Sequence, residues 1–306
     1  MELKQLLVVL DPTHEGKQPS LERAAWVAER SGAALELIVC EHNPALEGGF
    51  FFDGPAQEKA RNSLLANRKK WLEKLAEPLK EKGLTVNCES RWGKPLSKMV
   101  IQRVKELQPD IVFRDATTHS LLERLFLNNT SWQLIRHCPV PLWLSRDSEW
   151  RGKKLCAAVD PGHLNDTKNE LDHHLIQVAQ YFEQTLKLEA NYLHTYAPFP
   201  KSLIFDATLA ATYDQQVSAG ISQHKQRFAE LFSNYNVADE RKHLIEGFAE
   251  NAIPEFVEQE EVDLLVMGAI ARGSLETALI GHTAERVLEE ANCDLLIMRH
   301  PNQRFA

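Results

Sequence analysis

Two stretches of this 306-residue chain follow one plan, and that repetition limits what it can fold into more than any single motif does. Leu6-Leu7-Val8-Val9-Leu10-Asp11, an apolar run closed by an aspartate, returns 149 positions later as Leu155-Cys156-Ala157-Ala158-Val159-Asp160. Gln108-Pro109-Asp110-Ile111-Val112-Phe113 returns 153 positions on as Glu261-Val262-Asp263-Leu264-Leu265-Val266. At that same offset Leu127-Asn128-Asn129-Thr130 falls on Ile280-Gly281-His282-Thr283, and Pro141-Leu142-Trp143-Leu144 falls on Asp294-Leu295-Leu296-Ile297.

Within each half, short β-rich apolar runs alternate with helical patterns, and such alternation implies a parallel sheet. Strands are expected near Leu6–Leu10, Leu35–Cys40, Thr85–Glu89, Ile111–Phe113 and Leu142–Leu144, then near Leu155–Val159, Leu188–Leu193, His243–Glu246, Leu264–Met267 and Leu295–Met298. Helices are expected between them. The fold class is therefore α/β: two tandem doubly wound domains, each a five-stranded parallel sheet with helices on both faces. The expected domains are residues 1–146 and 154–306, joined by the polar stretch Ser145 to Lys154.

Composition narrows the class of function. A formal net charge of −8 disfavours non-specific nucleic-acid binding, which needs a basic face to neutralise phosphates. The first apolar run, Leu6–Leu10, is too short for a signal peptide, and no stretch approaches the ~18 apolar residues of a membrane helix. A cytoplasmic protein without membrane contact is expected. The five cysteines are scattered singly, as expected of free thiols in a reducing compartment.

In an open parallel sheet, ligands bind at the carboxyl ends of the strands beside the point where strand order reverses. Asp11 and Asp160 each close a first strand there. The halves diverge after the fourth strand, where the second carries Gly268, Gly273 and Gly281 and the first carries Asp115, His119 and Asn128. Glycines let backbone amides approach an oxyanion closely, and the helix expected from Thr283 presents unpaired N–H groups with a partial positive charge. Arg272 adds a cation above that loop. Gly16-Lys17, Gly93-Lys94 and Gly152-Lys153 all lack the rest of a phosphate-binding Walker motif, and no conventional catalytic constellation is visible.

The segments Met267-Gly268-Ala269-Ile270-Ala271-Arg272-Gly273 and Gly281-His282-Thr283-Ala284-Glu285-Arg286-Val287, with the strand after them, resemble the universal stress protein family. Its nucleotide-binding members carry Gly, two residues, Gly, nine residues, then Gly-Ser/Thr/Asn. Here that spacing runs from Gly268 through Ala271 to Gly281, with alanine at the second glycine and His282 in place of the small polar residue. Both halves share the resemblance, and the tandem layout looks most like the E-type members.

The resemblance implies a stress-response protein that binds ATP or a related adenine nucleotide in its second domain and supports survival under starvation, oxidants or DNA damage. It implies Asp160, Thr195 and Met267 around the adenosine, with Gly268, Ala271, Gly281, His282 and Thr283 around the phosphates, where Arg272 is the added cation. It further implies a homodimer, pairing of the two terminal strands within the chain, and zinc at His119. Two alternatives stay open: a slow ATPase using the same site, and a carrier or scaffold for an apolar metabolite using Phe50-Phe51-Phe52. Asp172-His173-His174 reads as a solvated helix face, and Glu255 to Asp263 as a wet acidic helix end.

Overall fold

The computed structural model describes residues 2–13, 16–47, 54–116, 129–163, 166, 168–197, 207–269 and 280–301. It is an α/β protein of parallel strands flanked by helices, and its contacts divide it into two compact units. The first comprises Met1–Glu149 together with Asp294–Ile297, and the second Trp150–Cys293 together with Met298–Gln303.

In the first unit, β1 (Gln5–Val9), α1 (Pro19–Ser31), β2 (Ala34–Glu41), α2 (Gly54–Glu81), β3 (Val86–Trp92), α3 (Leu96–Leu107), β4 (Ile111–Asp115), α4 (Asn129–His137) and β5 (Leu142–Ser145) follow in order. The parallel strands lie in the order β3-β2-β1-β4-β5. The unbroken apolar run of β1 is what a strand covered on both faces requires, and its Leu6 to Val9 are all buried. Helix α1 begins on Pro19, whose missing N–H is no loss in a first turn, and ends on Gly32 in the left-handed conformation at φ 75°.

The second unit contains β6 (Lys154–Ala158), α5 (Glu170–Leu186), β7 (Glu189–Tyr196), α6 (Ala207–Leu231), β8 (Lys242–Glu246), α7 (Ala249–Gln259), β9 (Leu264–Gly268) and α8 (His282–Glu290). Its parallel strands lie in the order β9-β6-β7-β8. The last strand of the second repeat, β10 (Asp294–Met298), pairs antiparallel with β5 through Leu295–Leu144, Leu296–Trp143 and Ile297–Leu142.

One device recurs at the amino ends of both sheets. The Oδ2 of Asp110 accepts the backbone N–H groups of Lys4 (2.7 Å) and Gln5 (2.9 Å), fastening the start of β1 to β4. The Oδ2 of Asp263 does the same for Lys153 and Lys154, both at 2.9 Å, and the Arg151 guanidinium reaches its Oδ1 at 3.2 Å. Asp263 is thus a buried acceptor, not the solvated end of an acidic helix. Beside β5, Asp294 is 1% exposed. It accepts from Arg23 Nε (3.1 Å) and Trp143 Nε1 (2.9 Å) through Oδ2 and from the Arg146 N–H (2.9 Å) through Oδ1.

Candidate functional site

The order β9-β6-β7-β8 reverses direction between β6 and β9, so the crevice of the second unit opens at the carboxyl ends of those two strands. A cavity of about 440 Å³ lies there, within the size range of small-molecule sites. Its strand side presents Asp160, Thr195, Met267 and Gly268, and its opposite side presents Gly281, His282, Thr283 and Ala284 at the start of α8. Seven of the nine residues expected around a nucleotide therefore line one cavity. The other two, Ala271 and Arg272, lie outside the described residues, as do Phe50, Phe51, Phe52 and His119.

Gly281 and Gly268 are glycines for different reasons. Gly281 has φ −69° and ψ 146°, a conformation open to any residue, and a Cβ built on it meets nothing within 4 Å. Neither the backbone nor the packing demands glycine there; its missing side chain keeps the space before the helix open. Around Gly268 a Cβ would stand 2.7 Å from Leu171 Cδ2, so this glycine lets α5 close onto β9. The loop between them is closed by the Gly281 N–H donating to the Ala269 carbonyl at 3.2 Å.

The start of α8 has no side-chain cap, because its cap residue is Gly281. The first N–H groups of a helix have no carbonyl of their own to bond, so they are available to an oxygen acceptor in the cavity. Helix α5 offers a contrast. There Asp166 accepts from the N–H groups of Glu170 (2.9 Å) and Leu171 (3.1 Å), and the helix start is already satisfied.

The cavity also has apolar lining from Ala158, Leu171, Leu193 and Ile253. Asp160 is exposed beside it, with its N–H donated to Asp172 Oδ1 at 2.9 Å. Asp172 is fully buried, so the expected solvated face of α5 is instead the brace of the β6–α5 turn. His173, also in that cluster, shares a 2.9 Å hydrogen bond with the Tyr235 hydroxyl.

Behind Asp160 stands a histidine pair that periodicity alone did not reveal. His194 is 2% exposed, with Nδ1 3.2 Å from the Val159 carbonyl and Nε2 2.9 Å from His224 Nδ1. A carbonyl only accepts, so His194 Nδ1 carries a proton. Burial holds His194 below the usual histidine range, against the opposing pull of Asp160 and of the Val159 hydrogen bond. The ring is therefore neutral near pH 7, its Nε2 is an acceptor, and His224 donates. The ring of Tyr196 stacks on that of His224 with centroids 5.2 Å apart.

The first unit differs at the matching places. Strand registers equate Asp11 with Asp160, Cys40 with Thr195, Arg114 with Met267 and Asp115 with Gly268. Among the described residues no three His, Cys, Asp or Glu side chains are arranged to hold a metal, so the expectation of zinc has no support.

The sequence model of the Universal stress protein family matches residues 2–146 and again 153–299. The chain belongs to the universal stress protein family. It is similar to Universal stress protein E of Salmonella typhi, 27% identical over 300 residues that cover 97% of this chain and 94% of that protein. It is also similar to Universal stress protein E of Escherichia coli K12, 25% identical over 98% of this chain and 95% of the relative. Among solved structures, a Pseudomonas aeruginosa PAO1 protein of unknown function superposes with a TM-score of 0.75 at 23% identity, covering 98% of this chain and 94% of that one. An Archaeoglobus fulgidus universal stress protein superposes with a TM-score of 0.64 at 13% identity, covering 97% and 98%. This universal stress protein thus has the tandem E-type layout along nearly its whole length. Among its described residues no helix is long and apolar enough to cross a membrane.

Proposed function

We propose that this chain is a cytoplasmic regulatory protein of the stress response that binds one adenine nucleotide in its second domain, residues 154–306. The observation that carries the reading is the cavity itself. One end is an uncapped helix start behind a glycine whose absent side chain leaves open space, and the other end is an apolar wall edged by Asp160 and Thr195. That division suits a ligand with an anionic end and an aromatic end. In this reading the N–H groups at the start of α8 hold phosphate oxygens, Asp160 takes ribose hydroxyls, and the base lies against Met267 and its apolar neighbours.

Calorimetric titration of the full chain with ATP tests it. One site per chain is expected, and Gly281→Asp, which places a carboxylate in that open space, should weaken binding at least about a hundredfold. Two equivalent sites, or an unaltered affinity in the variant, would refute the assignment. Binding of this kind fits a sensor that helps cells through starvation, oxidants or DNA damage, and a homodimer is the expected assembly.

A further inference from the structure

In the first unit the order β3-β2-β1-β4-β5 reverses between β1 and β4, the place where an open parallel sheet takes a ligand, and β4 carries an arginine near its carboxyl end there. Arg114 pairs in register with Val9 of β1 and Leu144 of β5 and is 4% exposed. Its guanidinium makes no hydrogen bond or ion pair with any described residue, and its Nε is buried without a partner. A buried charge left in this state is costly, and buried polar groups without protein partners mark places where an ion or ligand completes the bonding.

The charges around it locate the guanidinium and restrict what it can take. Burial lowers the pKa of Arg114, while Asp11 and Asp115 raise it; these two and Cys40 stand at the carboxyl ends of β1, β4 and β2. The charge therefore sits at the ligand-binding edge of the sheet, in the place that Met267 fills in the other repeat. Asp115 also caps α1, its Oδ1 accepting the Ser20 N–H at 2.6 Å, and Asp11 Oδ1 accepts from the Thr13 N–H and hydroxyl at 2.9 and 2.6 Å. Cys40, pushed up to about 12 by burial, stays a neutral thiol. With Asp11 and Asp115 near Arg114, a doubly charged phosphate is repelled more strongly than a single carboxylate, and the carboxylate matches the planar donor fork of a guanidinium.

We propose that the first unit binds the carboxylate group of a small metabolite at the crevice formed by Asp11, Cys40, Arg114 and Asp115, with Arg114 as the group that holds it. The two repeats then select different ligands with one architecture.

Saturation-transfer NMR of the full chain with acetate tests this, with chloride holding the ionic strength constant. Acetate should receive saturation from the wild type and should bind at least about tenfold more weakly to Arg114→Met, the residue type of the other repeat. Arg114→Lys, which keeps the charge and loses the fork, should fall between them. Phosphate at pH 8 should compete poorly. Gly281→Asp should bind acetate like the wild type, which separates this crevice from the α8 start. Without ligand, Arg114→Met should unfold at higher urea than the wild type, because it removes a buried guanidinium whose hydrogen bonds no described residue completes; a lower midpoint would mean that Arg114 serves only to neutralise Asp11 and Asp115. That result overturns the proposal, as does acetate binding that is absent in the wild type, unchanged in Arg114→Met, or weaker than phosphate binding.

Discussion

Gly268 and Gly281 are separated by one measurement each. Gly268→Ala pushes a methyl group toward Leu171, a buried side chain with little room to retreat, and should cost about 1 kcal/mol of stability in urea unfolding. Gly281→Ala should leave the unfolding midpoint unchanged yet weaken ATP about tenfold in calorimetry, since its Cβ enters only empty cavity. The glycine spacing was legible in the sequence because it spans one loop, whereas this difference in role depends on a side chain nearly a hundred positions away. His194 was illegible for the same reason. Its position on β7 looks like any strand residue, and only folding brings Val159 and His224 to its two ring nitrogens. Its folded pKa is below the free value of ~6.5, so the unfolded chain binds the proton more readily. The stability that His194 contributes is therefore complete above about pH 6.5 and is lost as pH falls from there through the lower folded value. Urea midpoints at pH 7.5 and 5.5 should differ less in His194→Asn than in the wild type.

Strand positions followed from sequence to within three residues, the largest misses at the ends of β3 and β7, because central strands of a parallel sheet must be apolar throughout and the repeat supplies each reading twice. Asp110 and Asp263 lie in the best-matched pair of segments, and they recur because each ties the first strand of its repeat to the fourth. Residue type alone did not reveal this fastening, since an aspartate after an acidic helix is usually solvated. Asp263→Ala should destabilise by about 2–3 kcal/mol in urea unfolding, because it strands two strand-start N–H groups and takes from Arg151 its buried carboxylate partner. Asp110→Ala should cost less, since Asp110 is only half-buried and water can replace it. Equal losses would show that burial does not set the strength of this fastening.

At the scale of the whole chain, Asp294 fastens the last strand to the first repeat. With Arg23 and Asp294 both buried, Asp294→Ala removes the buried carboxylate partner of the guanidinium, leaving it the half-exposed Glu22 and two backbone carbonyls, and takes the Asp294 acceptor from Trp143. A loss of about 3–5 kcal/mol is expected in urea unfolding, and Asp294→Asn, which keeps an acceptor oxygen, should recover part of it. Burial raises the pKa of Asp294 against the pull of Arg23, so this carboxylate is held at a cost that only its several donors offset. The pairing of β10 with β5 has a further consequence for the order in which the protein is made. A ribosome adding 5–20 residues each second needs about 8–30 s to pass from the end of β5 to β10 across roughly 150 residues. Through that interval the nascent first unit presents β5 as a bare, apolar edge, and Arg23 has not yet met Asp294. Translation must reach the final strand before the first half of the chain is a finished object.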